Sequence, residues 1–316
     1  MKILVTGGTG FVGRALIPQL IQSGHNVIAT SRDANADIAG ASVHPIAELG
    51  PDTDWHDALR GVEAVIHLAA RVHVMSDNAP DPMAENRRIN TEGTAKLAKD
   101  AVMAGVRQFI FMSTIKVNGE TTDVDPFRPN DIPAPKDPYA IAKLDAEKAL
   151  LKVARHSDMS AAIIRPPLIY GPGVKGNFIS LLNLCQKGWP LPVGSINNRR
   201  SLIYVGNLVH MVHRLIEKPD ATTGLYLCRD PEDVSTPELF YKVSTVLRVK
   251  PLIFPFPMFL LRLAGTLSGK SATISRLTES LYVDDSLTRT DLDWTPPFSM
   301  LQGLKETATW FDNQKH

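Results

Sequence analysis

The sequence predicts an α/β fold, a Rossmann-type doubly wound parallel sheet with a smaller C-terminal lobe. Short apolar runs alternate with amphipathic stretches through the first half of the 316 residues, the pattern of strands covered by helices on both faces. A glycine-rich turn, Gly7-Gly8-Thr9-Gly10-Phe11-Val12-Gly13, follows the first of those runs. After Pro166 prolines and glycines become frequent and the alternation weakens. We assign 1–165 to the sheet domain, with 202–230 returning to it, and 166–201 with 231–316 to the smaller lobe.

Each element has a local reason. Lys2 to Thr6 is a strand, and Phe11 to Ser23 a helix with Val12, Leu16 and Leu20 at helical spacing. Val27 to Thr30 is a second strand, closed by Ser31-Arg32-Asp33. Ala64 to Ala69 is a strand behind the turn residue Gly61. Thr94 to Ala104 is a helix stopped by Gly105. Gln108 to Ser113 is a strand, Pro138 to His156 a long helix, and Ala161 to Arg165 a further strand. Five prolines make Asp125 to Pro138 a stiff loop. Pro251 to Gly265, rich in Phe, Leu and Met, is read as a loop and a buried helix, with contact to a membrane surface the lesser alternative. Pro255, Pro257 and Arg262 interrupt it, and it is shorter than the ~20 apolar residues that cross a bilayer.

Composition excludes several classes. A formal charge of +1 argues against a nucleic-acid protein, which carries a basic excess or stripe. Cys185 and Cys228 lack metal-type spacing and read as reduced, buried thiols. No metal site is expected. The apolar run after Met1 is too short for a secretory signal, so a cytoplasmic protein is expected.

The glycine turn carries the first chemical signal. Gly7 permits a tight turn, Gly10 lets backbone approach a pyrophosphate, and Gly13 lets the helix pack on the sheet. The helix start at Phe11 and Val12 supplies amide donors. A dinucleotide, NADP or NAD, is the expected cofactor. At the end of the second strand, where an acidic residue would grip an adenosine ribose, stand Ser31 and Arg32. A guanidinium there suits the 2′-phosphate of NADP; the alternative is Asp33 on the ribose of NAD.

Tyr139-Ala140-Ile141-Ala142-Lys143 puts a phenol and an ammonium one helical turn apart. A phenol titrates near ~10, and a neighbouring Lys and an oxidised nicotinamide both favour the phenolate, so the pair can move a proton at a sugar hydroxyl or ketone. Ser113-Thr114 ends the preceding strand at the open edge of a parallel sheet, where the Thr114 hydroxyl can hold the reacting oxygen.

These motifs resemble those of the extended short-chain dehydrogenases/reductases, the NAD-dependent epimerase/dehydratase group. The resemblance spans nearly the whole chain. It rests on Gly7 to Gly13, His67-Leu68-Ala69-Ala70, Asn90 to Thr94, Ser113-Thr114 ahead of Gly119, Tyr139 to Lys143, and Arg165-Pro166-Pro167 running into Tyr170-Gly171-Pro172. It implies Tyr139 as acid/base, Thr114 as its hydroxyl partner, and Lys143 as the tuner of Tyr139 and ligand of the nicotinamide ribose. Leu68, Ala69, Ala70, Asn90 and Pro166 would contact the cofactor. Asn177, Phe178, Arg200 and Arg276 would hold a nucleotide-sugar diphosphate, with Arg276 the weaker match because its acidic companion is Glu279. A homodimer is expected.

Val117-Asn118-Gly119 after Lys116, Arg71-Val72-His73-Val74-Met75 and Asn198-Arg199-Arg200-Ser201 depart from the commonest epimerase pattern. They resemble a branch acting on UDP-linked 4-keto-6-deoxy-N-acetylhexosamines. The function expected from the sequence is therefore an NAD(P)-dependent carbon-4 ketoreductase of such a UDP-sugar, serving surface polysaccharide. The alternative is a UDP-glucose or UDP-N-acetylglucosamine 4-epimerase using the same residues, and the remote one a non-catalytic NAD(P)-binding regulator.

Overall fold

The computed structural model describes residues 1–71, 81–218, 223–269 and 271–314. Its frame is a seven-stranded, wholly parallel sheet in the order β3-β2-β1-β4-β5-β6-β9. The strands are β1 (Lys2–Thr6), β2 (Asn26–Ser31), β3 (Ser42–Pro45), β4 (Ala64–His67), β5 (Gln108–Met112), β6 (Ser160–Arg165) and β9 (Gly224–Leu227). Residues Ile3 to Val5, Ala64 to Ile66, Phe109 to Phe111 and Ala161 to Ile164 are fully buried, which is why these strands read as continuous apolar runs and not as alternation.

Helices cover both faces. On one side α1 (Phe11–Gln22) and α6 (Val205–Glu217) seal Leu16, Ile17 and Leu20 against Leu208, Val212 and Leu215. On the other, α3 (Gly93–Met103) and α4 (Pro138–Ala154) bury Leu97, Ala101, Ala146 and Leu150 with Trp55. The short α2 (Pro82–Asn86), capped by Asp81, runs through a π-helical stretch, Arg87–Glu92, into α3. From β1 the chain runs outward to β3 and then returns to β4, so the strand order reverses between β1 and β4. Ligands bind at such a switch point, outside the carboxyl ends of the strands. The turns after β1, β4, β5 and β6 all open on that edge.

A second body carries its own core. The parallel pair β7 (Leu168–Tyr170) and β8 (Leu202–Tyr204) packs with α5 (Asn177–Gln186), α7 (Thr236–Val246) and α11 (Met300–Asn313) around Tyr170, Phe178, Leu182, Phe240 and Leu304. Beyond α7 follow α8 (Met258–Leu267), α9 (Ser271–Thr278) and α10 (Ser286–Leu292). The helix within Pro251 to Gly265 is α8, and it is not buried. Phe259, Leu263 and Leu267 are exposed, and only Leu261 and Gly265 turn inward. An apolar run tells that a face wants cover, not whether the fold supplies it. No helix among the described residues is long and apolar enough to cross a membrane. Cys185 and Cys228 are both buried and free.

Candidate active site

At the end of β1 the chain turns at Gly7, whose φ of +73° is left-handed, and a Cβ there would lie 2.8 Å from the Ala69 nitrogen. The turn closes through the Gly10 N–H, which donates to the Gly7 carbonyl at 2.9 Å. Gly10 then caps α1 without a side-chain acceptor, and the first turn holds no acidic residue, so the amides of Phe11, Val12 and Gly13 have no side-chain partner. A Cβ on Gly13 would meet the Gly7 oxygen at 2.5 Å and the Gly8 Cα at 2.8 Å, whereas one on Gly10 would meet only the Gly7 oxygen, at 3.1 Å. The loop is flush with the helix behind and open in front, a cradle that fits a pyrophosphate. Beside it, buried Ser31 ends β2 and accepts the Asp33 N–H at 3.0 Å; Asp33 accepts the Asn35 N–H at 2.9 Å, and Arg32 is exposed.

Strand register explains the next group. Thr6 lies opposite His67 and His67 opposite Phe111. His67 is fully buried, stacked on Phe111 at 5.5 Å between centroids, and burial, then the nearby Lys143, pushes its pKa down to about 3. Its hydrogen bonds fix one tautomer. The Thr94 hydroxyl spends its proton on the Asn90 carbonyl at 2.6 Å, so it accepts the His67 Nε2–H at 2.9 Å. Nδ1 therefore accepts the Thr6 hydroxyl at 2.6 Å, and the Thr6 oxygen in turn accepts the Ala69 N–H at 3.2 Å. This one-way chain ties β1, β4 and the start of α3 together and sets the Leu68-Ala69-Ala70 segment, which is half-buried at the edge. The Asn90 side chain is spent on the same task. It accepts the Arg71 N–H at 2.8 Å and donates to the Arg71 carbonyl at 3.0 Å. Both bonds hold the loop that follows β4.

Tyr139 sits in the first turn of α4, half-buried, and Lys143 one turn on, fully buried with Nζ 4.1 Å from the Phe111 ring centre. Burial pushes Lys143 down to about 7, partly offset by Glu147. Burial, then the Asp137 carboxylate, raises Tyr139 above the usual phenol range. Thr114 is half-buried after β5, its oxygen accepting the Lys116 N–H at 3.3 Å, which leaves its own proton free to donate.

Two further groups hold this pair in place. Asp137 caps α4 through the Ala140 N–H at 2.7 Å, and Lys116 reaches the same carboxylate at 2.5 Å, clamping the helix that carries Tyr139 to the loop that carries Thr114. The Asp137-Pro138 pair is a local helix-start signal, and the helix predicted from Pro138 begins there. Behind Lys143, buried Glu147 takes Arg165 on both oxygens, 2.9 Å from Nε to Oε1, and accepts the Ser113 hydroxyl; Arg165 also donates to Asn118 at 2.9 Å. Pro166, buried beyond β6, accepts the Ile115 N–H at 3.0 Å.

In the second body Arg200 is half-buried and forms no ion pair among the described residues. Its Nη1 donates to the Arg276 carbonyl at 2.9 Å, and burial lowers its pKa. Buried Asn198 fixes this arrangement, donating to the Glu279 carbonyl at 2.9 Å and accepting the Thr236 N–H at 2.8 Å. Arg276 meets Arg200 through its backbone, while its side chain is exposed. Asn177 opens α5. The Phe178 ring is buried and stacked on Tyr170 at 5.2 Å. Of the branch marker Arg71 to Met75, residues 72–75 lie outside the described residues.

Comparison with known proteins agrees with this picture. The model of the NAD dependent epimerase/dehydratase family matches residues 3–226. The UDP-glucose 4-epimerase of Vibrio cholerae is 41% identical over 98% of this chain and 95% of its own length. An N-acetyl-alpha-D-glucosaminyl-diphospho-ditrans,octacis-undecaprenol 4-epimerase of Escherichia coli O157:H7 is 27% identical over 98% of the chain and 95% of its own. Among solved structures, the UDP-glucose 4-epimerase of Thermotoga maritima with UDP-glucose superposes at a TM-score of 0.79, with 24% identity and full coverage of both chains. At that identity the last shows the fold alone.

Proposed function

The chain belongs to the NAD dependent epimerase/dehydratase family, and from that premise we propose that it is a UDP-hexose 4-epimerase, acting on UDP-glucose or its N-acetylated counterpart. The observation that carries the reading is the 41% identity to the Vibrio cholerae UDP-glucose 4-epimerase through almost the full length of both chains. It favours the epimerase over the ketoreductase expected from the sequence, since it takes in the second body as well as the cofactor half.

The residues divide the work. The amides of Phe11 to Gly13 and the open face of Gly10 hold the pyrophosphate of NAD, with Lys143 on its nicotinamide ribose. Bound NAD supplies a hydride acceptor that becomes a donor, and a cationic ring whose field offsets the desolvation of the Tyr139 phenol. Tyr139 takes the proton of the sugar 4-hydroxyl as carbon 4 gives up hydride, and returns it to the same oxygen once the 4-keto sugar has turned its other face to the returning hydride. The free Thr114 proton holds the carbon-4 oxygen, and exclusion of water strengthens both contacts. Lys143, poised near neutrality, exchanges protons with Tyr139. Arg200 and the amides at Asn177 and Phe178 keep the diphosphate fixed while the sugar turns over. Buried Ser31 and exposed Arg32, at the end of β2, would stand beside the adenosine ribose of NAD.

The test gives purified protein UDP-glucose and, separately, UDP-N-acetylglucosamine without added reductant, follows the sugar by proton NMR, and identifies the nucleotide released on denaturation. Conversion to the galacto epimer and release of NAD are expected. Consumption of added NADPH with a UDP-4-keto-6-deoxy-N-acetylhexosamine, and no epimerisation, would return the ketoreductase.

A further inference from the structure

We propose that α8 is a membrane-docking element that seats the protein on an anionic phospholipid surface. Phe259, Leu263 and Leu267 recur every fourth residue and lie 69%, 51% and 80% exposed on one stripe of this ten-residue helix, while Leu261 and Gly265 face inward. Isolated exposed leucines are ordinary, but a whole outward helix face of them is not. The polar groups of that face are already satisfied by the helix, since the Thr266 hydroxyl donates to the Arg262 carbonyl at 3.1 Å and Ser268 to Ala264 at 2.7 Å. The face can therefore leave water at little cost.

The flanks extend the same chemistry. The segment before α8 runs beside residues 191–194, with the Leu191 N–H on the Leu252 carbonyl at 2.7 Å and the Gly194 N–H on the Phe254 carbonyl at 3.0 Å. On these two segments Trp189, Leu252 and Phe254 are exposed, and the Lys187 ammonium lies 4.8 Å from the centre of the Trp189 ring.

Charge selects the occupant. From Leu239 to Thr278 the sequence has no Asp or Glu, while Arg248, Lys250 and Arg262 are exposed. Apolar side chains, a tryptophan and cations without carboxylates make an interfacial helix for anionic lipid. A second copy fits worse, because a two-fold contact sets a patch against itself and would bring the cations together. α8 packs on α9 so closely that a Cβ on Gly265 would come within 2.6 Å of Ile274. The Arg276 carbonyl of α9 holds Arg200, so the docked face lies one helix from that arginine.

The test sediments the full chain with vesicles of phosphatidylglycerol and phosphatidylethanolamine, and with pure phosphatidylcholine. The expected result is selective binding to the anionic vesicles. Leu263→Ser with Leu267→Ser weakens it by at least about tenfold, Arg262→Glu weakens it too, and turnover of a soluble UDP-sugar is unchanged. Equal binding to both vesicle types, no binding, or an unaffected double variant would overturn the proposal. So would a double variant that converts a lipid-free dimer to monomer, which would assign the face to a second copy.

Discussion

The two bodies of this molecule hold their candidate site groups by different means. In the sheet half, backbone meets backbone at the limit of contact: Gly7 against Ala69, Gly13 against Gly7, Thr6 in register with His67 and His67 with Phe111. In the second body Arg200 donates to carbonyls at the end of α9, one of them also bonded by Asn198, and an apolar helix face looks outward. Chemistry at one carbon atom needs the first kind of construction, since an ångström of play there costs orders of magnitude in rate.

Glu147→Gln should break the contrast most severely. It strips the partner from Arg165, which like Glu147 is 3% exposed in its side chain, and leaves a buried cation uncompensated at a cost of about 3–5 kcal/mol. Urea unfolding measures it; a loss under ~1 kcal/mol would mean that water reaches the pair.

Gly13→Ala comes next, at about 1–3 kcal/mol, together with loss of NAD affinity by fluorescence titration. Gly24→Ala is its control. That glycine, unlike the helical Gly13, has a positive φ, +82°, and a Cβ there meets nothing within 4 Å. It should therefore lose stability alone, by about 1–2 kcal/mol, and bind NAD normally.

His67 should give the sheet half an acid-sensitive stability. Its pKa is about 3 in the fold against an ordinary 6.5. Between those values the unfolded chain binds a proton that the fold refuses, so stability falls as pH drops through 6.5, by up to ~1.4 kcal/mol per pH unit. A His67→Gln variant should show a slope flatter by that one proton between pH 6 and 4; parallel slopes would mean that His67 is protonated in the fold.

Arg200→Met should have the smallest effect on the frame. A raised KM for the UDP-sugar, unchanged NAD affinity and about 1 kcal/mol of lost stability are expected from urea curves beside steady-state kinetics.

The same contrast decides what was legible. The glycine turn, the Tyr139/Lys143 pair and the strands of the sheet are local patterns, readable because both faces of each central strand are covered. The helix start at Asp137-Pro138 was equally local, and the helix predicted from Pro138 begins there. The Lys116 to Asp137 clamp and the Thr6-His67-Thr94 chain depend on register and on loops meeting across the cleft, which no window of sequence contains. In the second body β7 and β8 are three residues each, too short to carry a period. The outward turn of α8 and the inward ring of Phe178 were settled by packing, since apolar residues look alike on either side of a wall.

The account depends on carbon 4 losing and regaining the same hydrogen while Tyr139 handles the proton. UDP-glucose carrying deuterium at carbon 4, incubated in ordinary water with no added nucleotide, tests this directly by NMR of the product. The account predicts a galacto epimer that keeps its deuterium, and no product from Tyr139→Phe although that variant still binds NAD. Deuterium exchanged for solvent hydrogen, or full turnover by Tyr139→Phe, would contradict it.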